Sequence, residues 1–532
     1  MLGRPPVAPR DIATDDASFE SHESMTPRWL VTASLAYMAL PTLIFVAGWT
    51  RPAIATIASV CATALLAISA QNARSKPSYS LPLGTSAGIW AGATVIGLFT
   101  GAGAIFPQSW DWLKHNAILR DLVVEQWPVA YDVEGQSFQL TYYIGYYLPA
   151  AAVGKVAGWE AANSALFVWT VLGIALAFTW FCVLTQAAKR GWILLVAALF
   201  SGPDVLGWLL FSPVTRVEDV SLPSQQLDWW AQVGKYPNHV TSVMWGPHHA
   251  LGAWIGAGLI LHLARTRQLR WIAPVVAFCG LMSPFTTLGL LPLVGWAVIC
   301  DGRQAILRRV RELASLPAAL AAVAVLPVVV YYAALSAPLP APYGGSVEAG
   351  FALTNPIRPM SFVQALAAYL LLIAVEVLIF SALVRRSPAG REPDSRMLLG
   401  VVTITMLLFP LVRYGQWSDL AMRAVVPSMF VLSILVGRIL LESPRSNTFR
   451  LGLVYLLVFG LVAPSLELRR AITNSHVHGA YVIDGFDAND ADASAGIVSL
   501  SETIYTTQPR FLAQYTASED TFFSSTIARR PN

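Results

Sequence analysis

The groups best suited to chemistry follow the third long apolar segment, in the run Trp110-Asp111-Trp112-Leu113-Lys114-His115. This run presents a carboxylate, an ammonium group, an imidazole and two indoles. If Trp112–Glu125 is helical, Asp111 and His115 lie one turn apart on its apolar side. The same helical wheel places the remaining charged residues on the opposite face: Lys114, Arg120, Asp121 and Glu125.

An acid that faces apolar surroundings is desolvated, which raises its pKa and is typical of functional acids. We therefore predict that Asp111 and His115 are catalytic. Two ordinary interpretations stay open at this point. Asp111 would cap the helix by accepting backbone N–H bonds, and His115 would be an interface histidine with satisfied hydrogen bonds.

Three histidines, His239, His248 and His249, lie near the start of a later apolar segment, downstream of Asp228. Histidine with carboxylate is a plausible ligand set for a divalent cation, although the spacing matches no closed zinc site. We predict these histidines as acceptor or metal ligands, with the identity of any metal unknown. Adjacent residues point in different directions on a helix, so we expect at most one of His248 and His249 to face the site.

The segment Arg413–Arg423 joins two apolar helices and ends where a guanidinium enters an apolar environment. An unpaired arginine there is costly, and a phosphate is a natural partner because it accepts two parallel hydrogen bonds. We predict Arg423 and Arg413 as phosphate-binding residues and Asp419 as a further site candidate. The alternative is an Asp419–Arg423 ion pair that only orients the turn.

Two further features carry polar groups. Asp204 lies in an apolar segment directly after Pro203, where an acid is either functional or bonds the backbone amides that the proline frees. The proline- and glycine-rich stretch 338–361, with Tyr343, Glu348 and Arg358, is either a mobile lid or a plain connector.

These residues must be positioned by membrane helices. The 532-residue chain is 55% hydrophobic and only 12% charged, whereas soluble domains carry about 25% charged residues. We predict an all-α polytopic membrane protein of about 13 transmembrane helices. The predicted spans are roughly 29–49, 52–70, 83–105, 162–187, 191–211, 243–264, 271–300 (a short pair), 313–337, 362–384, 397–412, 424–441 and 450–466.

Clusters of lysine and arginine set the orientation, because cytoplasmic loops carry an excess of these residues. For 271–300 to begin and end on the cytoplasmic side, it must form two short helices hinged at Ser283-Pro284. For the same reason Thr141–Trp159 is predicted as a surface helix, with Tyr142, Tyr143, Tyr146 and Tyr147 at the membrane interface.

This topology divides the chain into a cytoplasmic N-terminal tail (1–28), a transmembrane domain (29–467) and an extracytoplasmic tail or small cap (468–532). Outer loops are predicted at 106–161, 212–242, 338–361 and 413–423, with surface helices in the first. The predicted location is the bacterial plasma membrane. The small net charge of +4 gives no support to nucleic-acid binding.

The arrangement resembles the GT-C superfamily of polytopic glycosyltransferases that use lipid-linked sugars. An acid directly after a spanning helix (Asp111), a long first outer loop and a later outer arginine (Arg423) carry the resemblance. It covers roughly 83–300 in layout. The spacing of Asp111 and His115 departs from the adjacent acids that are commoner in the family, which leaves metal dependence open.

The resemblance implies transfer of a sugar from a polyprenyl-phosphate carrier to a cell-envelope glycan or lipid on the outer face of the plasma membrane. Asp111 would activate or orient the acceptor hydroxyl, and Arg423 would bind the phosphate. No cofactor is certain, and a divalent cation is the candidate. The alternative is a transporter or flippase of a lipid-linked saccharide. Transporters usually show internal repeats, and no repeat is evident in this sequence.

Overall fold

The computed structural model describes residues 26–74, 80–106, 108–109, 111–187, 191–215, 226–300, 302–337, 339, 348–444, 446–477, 499–500 and 514–529. These residues are mostly helical. The first half, to residue 265, contains α1 (Arg28–Trp49), α2 (Pro52–Arg74), α3 (Leu83–Phe99), α4 (Trp112–Val124), β1 (Ala130–Val133), β2 (Gln136–Leu140), α5 (Leu148–Ala157), α6 (Trp159–Leu184), α7 (Leu194–Leu199), α8 (Asp204–Thr215), α9 (His239–Trp245) and α10 (Pro247–Arg265).

The second half continues the helical array and adds three short strands. It contains α11 (Ile272–Met282), α12 (Pro284–Ile299), α13 (Ile306–Leu313), α14 (Leu316–Ala333), β3 (Ala349–Phe351), α15 (Phe362–Ile373), α16 (Ile379–Arg386), α17 (Pro393–Leu408), β4 (Val412–Tyr414), α18 (Asp419–Ala424), α19 (Val426–Glu442), α20 (Thr448–Gly460), α21 (Val462–Val477) and β5 (Thr516–Ser518).

The helices bear out a polytopic membrane protein. By length and composition, nine helices among the described residues are apolar enough to span a membrane, and four shorter apolar helices accompany them. The count of about 13 spans stays a prediction. Among the nine, Trp159–Leu184 and Asp419–Glu442 are the most deeply buried, whereas Pro52–Arg74 lies largely exposed at the periphery. α10 is buried along nearly its whole length, so these three buried segments form the centre of the array.

The break predicted at Ser283-Pro284 is confirmed. α11 ends at Met282, and α12 begins at Pro284, where the missing N–H of proline is tolerated in the first helical turn. The Ser283 side chain caps α12 by accepting a hydrogen bond from the backbone N–H of Thr286 at 3.1 Å. Farther along α12, an added Cβ at Gly289 would lie 2.1 Å from the carbonyl oxygen of Ala424. α12 is therefore fixed against the chain that follows Arg423.

A second predicted span is interrupted. The segment predicted at 191–211 consists of α7 and α8, separated by Phe200–Pro203. Pro203 cannot donate a backbone hydrogen bond to the preceding turn, which accounts for the break. Asp204 is consequently the first residue of α8 and does not lie inside a continuous helix.

The prediction that the tyrosines of Thr141–Trp159 lie half-wet at a membrane interface is wrong. Only α5 within this stretch is α-helical, and Gly158 separates it from α6 with a φ of +85°, which favours glycine. Tyr142, Tyr146 and Tyr147 are all buried inside the protein. The hydroxyl of Tyr146 forms a 2.5 Å hydrogen bond with that of Thr170, so these rings pack against α6 and its neighbours.

Asp121 also departs from the helical wheel. It was predicted on the polar face of α4, yet its side chain is fully buried. It accepts hydrogen bonds from the Tyr131 hydroxyl at 2.8 Å, the Leu500 backbone N–H at 2.8 Å and Arg120 at 2.9 Å. Burial raises the pKa of Asp121 more than these bonds lower it. The wheel failed because a later part of the chain covers this face.

The small sheet in the first loop shows which later segment packs against this region. β1 and β2 form a hairpin, and β5 pairs antiparallel with β2, placing Phe138 opposite Ser518. At the hairpin turn Glu134 and Gly135 both have positive φ, as a two-residue turn requires. Part of the predicted tail therefore packs on the first loop. Residues 1–25, 478–498 and 501–513, to which the tail predictions also refer, lie outside the described residues.

Candidate functional site

A cavity of about 490 Å³ lies between the start of α4, the start of α10 and the α18–α19 junction. Ligand sites in proteins typically enclose about 300–1,000 Å³. Its lining residues are Asp111, Lys114, Tyr142, Gln226, Trp229, Gln232, Lys235, Pro237, Thr241, Ser242, Trp245, Gly246, His248, His249, Arg358, Trp417, Asp419, Met422, Arg423, Val426 and Arg470. The cavity thus brings together residues that are as far apart in sequence as Asp111 and Arg423.

Asp111 opens into this cavity. Its side chain does not cap α4, so the capping interpretation is wrong. One carboxylate oxygen lies 3.1 Å from Nζ of Lys114, and a third of the side chain is exposed. The wheel had placed Lys114 on the opposite face. Asp111 precedes the first turn of α4, where its side chain can extend along the helix end to meet Lys114.

The charges around Asp111 favour its ionised form. Burial by itself would raise the pKa of Asp111, but the ammonium of Lys114, with a smaller effect from Arg423, brings it below its ordinary value. Burial likewise acts to lower the pKa of Lys114, and the nearby carboxylate of Asp111 raises it above the ordinary value. At neutral pH this is a charged pair at the cavity wall.

His115 lies behind the cavity wall. Its Nε2 is 3.2 Å from the backbone carbonyl oxygen of Trp245, which can only accept, so Nε2 carries the proton. Nδ1 therefore accepts from the hydroxyl of Tyr147. Burial lowers the pKa of His115 to about 3. With both nitrogens occupied, His115 orients the start of α4 against α9 and does not reach the space beside Asp111.

Both members of the pair His248-His249 line the cavity, which corrects the expectation that only one would face the site. They occupy the first turn of α10, where the cavity lies beyond the helix end and both rings can reach it; their centroids are 3.9 Å apart. Nδ1 of His249 lies 2.7 Å from the hydroxyl of Ser283. Neither ring nitrogen of His248 has a hydrogen-bond partner among the described residues.

Arg423 and Asp419 both line the cavity, and they form the ion pair that was the structural alternative. Nη2 of Arg423 lies 2.8 Å from a carboxylate oxygen of Asp419. Nη1 donates a 3.1 Å hydrogen bond to the hydroxyl of Tyr143. Both partners of this ion pair stand at the cavity surface.

Besides His115, three predicted site residues do not line the cavity: Arg413, His239 and Asp204. Arg413 does not line the cavity; it pairs with Glu348 and donates to the backbone oxygen of Asn355 at 3.0 Å, which fastens the β3–β4 connection. His239 donates from Nδ1 to the Ala197 carbonyl at 2.7 Å. The sequence could not show these contacts, because each partner is distant along the chain.

Asp204 also lies outside the cavity wall. It is buried and accepts a 3.0 Å hydrogen bond from the hydroxyl of Ser201. Its neighbours also include the buried carboxyl group of Glu376 and the indole of Trp230. Asp204 thus bonds a side chain, whereas the structural alternative was a bond to the backbone amides near Pro203.

Lys235, which the sequence reasoning did not single out, is buried at the cavity wall. Its Nζ donates a 2.6 Å hydrogen bond to the side-chain oxygen of Gln226 and lies 4.5 Å from the ring centroid of Trp229. Burial lowers the pKa of Lys235, although neighbouring carboxylates such as Asp228 oppose this effect. A lysine among aromatic residues between two apolar segments was the available clue.

The charge balance of the cavity is strongly positive. Its described lining carries five cationic side chains and two carboxylates: Lys114, Lys235, Arg358, Arg423, Arg470, Asp111 and Asp419. Such a wall attracts anionic ligands. Within the described ranges, no group of three histidine, cysteine, aspartate or glutamate side chains is arranged to hold a metal ion, so the divalent cation stays a prediction.

The arrangement can hold an anion beside a carboxylate that accepts hydrogen bonds, with aromatic rings from Trp229, Trp245 and Trp417 around them. Comparison of the chain with protein-family models, with curated proteins and with solved structures finds no match in any of the three.

Proposed function

We propose that the protein is a membrane glycosyltransferase that passes a sugar from a polyprenyl-phosphate carrier to a cell-envelope glycan or lipid. The convergence of Asp111 with Arg423 and two histidines on one cavity carries the proposal. A transfer of this kind needs a carboxylate for the acceptor hydroxyl and cations for the phosphate that leaves. The cavity offers both within one wall.

Asp111 acts on the acceptor. Its carboxylate is ionised at neutral pH, because the surrounding basic groups, with Lys114 first among them, together outweigh the effect of burial on its pKa, and it accepts a hydrogen bond from the acceptor hydroxyl. The hydroxyl oxygen attacks the anomeric carbon, the bond from that carbon to the phosphate oxygen breaks, and the proton passes to Asp111. A carboxylate of lowered pKa is a weak base, so much of its contribution is orientation of the hydroxyl.

Arg423 acts on the donor. As the phosphate leaves it gains negative charge, which a guanidinium fixed in place stabilises. Asp419 and the hydroxyl of Tyr143 hold the guanidinium at 2.8 Å and 3.1 Å. The orientation of the guanidinium is therefore set before a ligand binds. Arg413 has no part in this step, because its hydrogen bonds hold the β3–β4 connection.

The donor's lipid chain fits a protein whose surroundings are apolar. Met422 and Val426 line the cavity next to Arg423 and belong to the spanning segment Asp419–Glu442. A polyprenyl chain would leave the cavity along such apolar surface while its phosphate stays at the arginine. We place the reaction at the outer face of a bacterial plasma membrane, where lipid-linked donors and envelope acceptors meet.

The test is transfer of radiolabelled sugar from the polyprenyl-phosphate pool in membranes that contain Asp111→Asn. Loss of a positioned base typically lowers a rate by about 10²- to 10⁴-fold. Asp132→Asn is the matched control, because Asp132 is exposed and accepts a 2.9 Å bond from Gly135 in the hairpin turn. We expect its activity to equal that of the unchanged protein.

Full transfer by Asp111→Asn at an equal protein level would remove Asp111 from the mechanism. The same membranes distinguish the alternative class of protein. Movement of a labelled lipid-linked sugar across the bilayer, without a new glycosidic bond in either variant, would replace the transferase by a flippase.

A further inference from the structure

The surplus positive charge of the cavity is not located at Arg423. Both carboxylates of the wall already have cationic partners, since Asp111 pairs with Lys114 and Asp419 with Arg423. Arg470 pairs with Glu467, which lies outside the wall. The remaining cations of the described wall, Lys235 and Arg358, form no ion pair within 4 Å among the described residues.

Lys235 is the more informative of the two because it is 4% exposed. Burying an ammonium group without a counter-ion is costly. Its one hydrogen bond goes to Gln226, whose side-chain oxygen also accepts from the indole N–H of Trp229 at 2.9 Å. One neutral oxygen shared by two donors, with carboxylates such as Asp228 acting only from beyond ion-pair distance, leaves the ammonium without a direct counter-ion. The cavity is the open side from which an anion can approach.

Asp111 interacts with two groups of basic residues: the first is Lys114 with Arg423, and the second is Lys235. Lys114 and Arg423 act on its carboxylate, and Asp111 in turn acts on Lys235, as do Asp228 and Glu467. The first group is neutralised by its own carboxylates before a ligand binds. Lys235 has no carboxylate within ion-pair distance among the described residues, and Asp228, Glu467 and Asp111 act on it only from farther away. The two groups therefore differ in what they can recruit.

We propose that Lys235, held in place by Gln226, binds an anionic oxygen group on the acceptor, so that the acceptor of this transferase is itself a phosphate-bearing glycan or lipid. That the ligand is an acceptor rests on the proposed function, while the anion site itself rests on the burial, the single neutral hydrogen-bond partner and the cavity exposure of Lys235. Asp111 shares this cavity with Arg423 and Lys235 and interacts electrostatically with both, as a residue that holds the acceptor hydroxyl must.

The test measures two phosphate probes on the purified full chain in detergent. Radiolabelled glycerol 3-phosphate represents the acceptor anion, and farnesyl phosphate represents the donor. We expect both to bind at once. Lys235→Met should weaken glycerol 3-phosphate binding by about 10- to 100-fold, as loss of a charged hydrogen bond implies, and should leave farnesyl phosphate binding unchanged. Arg423→Gln should show the converse pattern.

Lys155→Met is the matched control, because Lys155 also lies over an indole, 5.4 Å from the ring centroid of Trp127, but does not line the cavity. A second measurement needs no variant of Lys235. In the unchanged protein, glycerol 3-phosphate should slow acylation of Lys235 by acetic anhydride, followed by mass spectrometry, and should leave Lys155 unprotected.

Two results overturn the proposal. One is displacement of glycerol 3-phosphate by farnesyl phosphate in simple competition, which means a single anion site. The other is equal acylation of Lys235 with and without glycerol 3-phosphate. Failure of the transferase function alone would look different, with glycerol 3-phosphate still bound at Lys235 and no transfer of labelled sugar.

Discussion

Replacing Lys114 by methionine tests how the cavity keeps Asp111 charged. The carboxylate and the ammonium are 3.1 Å apart. Coulomb's law gives about 1.3 kcal/mol for this distance in water and about 5 kcal/mol at an effective dielectric constant of about 20. Because a third of the Asp111 side chain is exposed, the solvent-screened end of this range applies, and the loss corresponds to about a tenfold change in the ionisation equilibrium.

Without Lys114, the effect of burial on Asp111 is opposed mainly by Arg423, because His115 is neutral above its own pKa of about 3, so the pKa of Asp111 rises. Activity that needs the ionised carboxylate should then fall away at a higher pH than in the unchanged protein, while the alkaline side of the profile keeps its shape. Sugar transfer is measured across the acidic range, and infrared absorption of the protonated carboxyl group, assigned with Asp111→Asn, follows the same titration without activity.

Lys155→Met serves as the control, since Lys155 lies outside the cavity. If the acidic limb and the infrared titration are the same in Lys114→Met as in the unchanged protein, the Asp111–Lys114 pair does not set the charge of the site. An infrared shift without a shift in the transfer profile would show that Asp111 is charged by Lys114 and yet is not the group on which transfer depends.

Two further predictions concern stability, measured as the thermal unfolding midpoint in detergent. Gly289→Ala should destabilise the protein by about 1–3 kcal/mol through overpacking, because the new Cβ would lie 2.1 Å from the Ala424 carbonyl oxygen. The control is Gly295→Ala, whose new Cβ meets no atom within 4 Å and should leave the stability unchanged or raise it. Equal unfolding midpoints for the two variants would refute this packing argument. Burial raises the pKa of Asp121 in the folded protein, so ionisation of this group costs stability at any pH above its pKa in the unfolded chain. The stability of the unchanged protein relative to Asp121→Asn should therefore grow as the pH falls from 7 toward the unfolded pKa. A constant difference would show that the pKa of Asp121 is the same in the folded and unfolded protein.

The features that the sequence predicted well are local. The helix after Asp111 is confirmed at Trp112–Val124, because its apolar spacing is strong and its length is ordinary. The break at Ser283 is confirmed, because proline ends a helix wherever the rest of the chain lies. The apolar runs were sufficient to predict a polytopic helical protein.

The features that it missed depend on distant partners. Lys235 is recognised as a site residue only from the fold, which brings it close enough to interact with Asp111. His239 lies outside the site, where its Nδ1 donates to the Ala197 carbonyl. Asp121 seemed exposed because nothing in its own helix indicates that the Leu500 backbone covers it. The pair Glu134-Gly135 is a local signal for a hairpin turn, which the pattern of long apolar segments does not reveal.

The small sheet has a consequence for the order of events during synthesis. β2 is complete once residue 140 has been made, but the strand beside it, Thr516–Ser518, is made far later. Other contacts of the same region span similar intervals, with 379 residues between Asp121 and Leu500 and 474 between Arg51 and Ser525. The helices made first therefore lack these C-terminal contacts until synthesis is nearly complete. The loop that carries Asp111 reaches its final packing only after residues 514–529 have left the ribosome, so the cavity matures among the last parts of the protein.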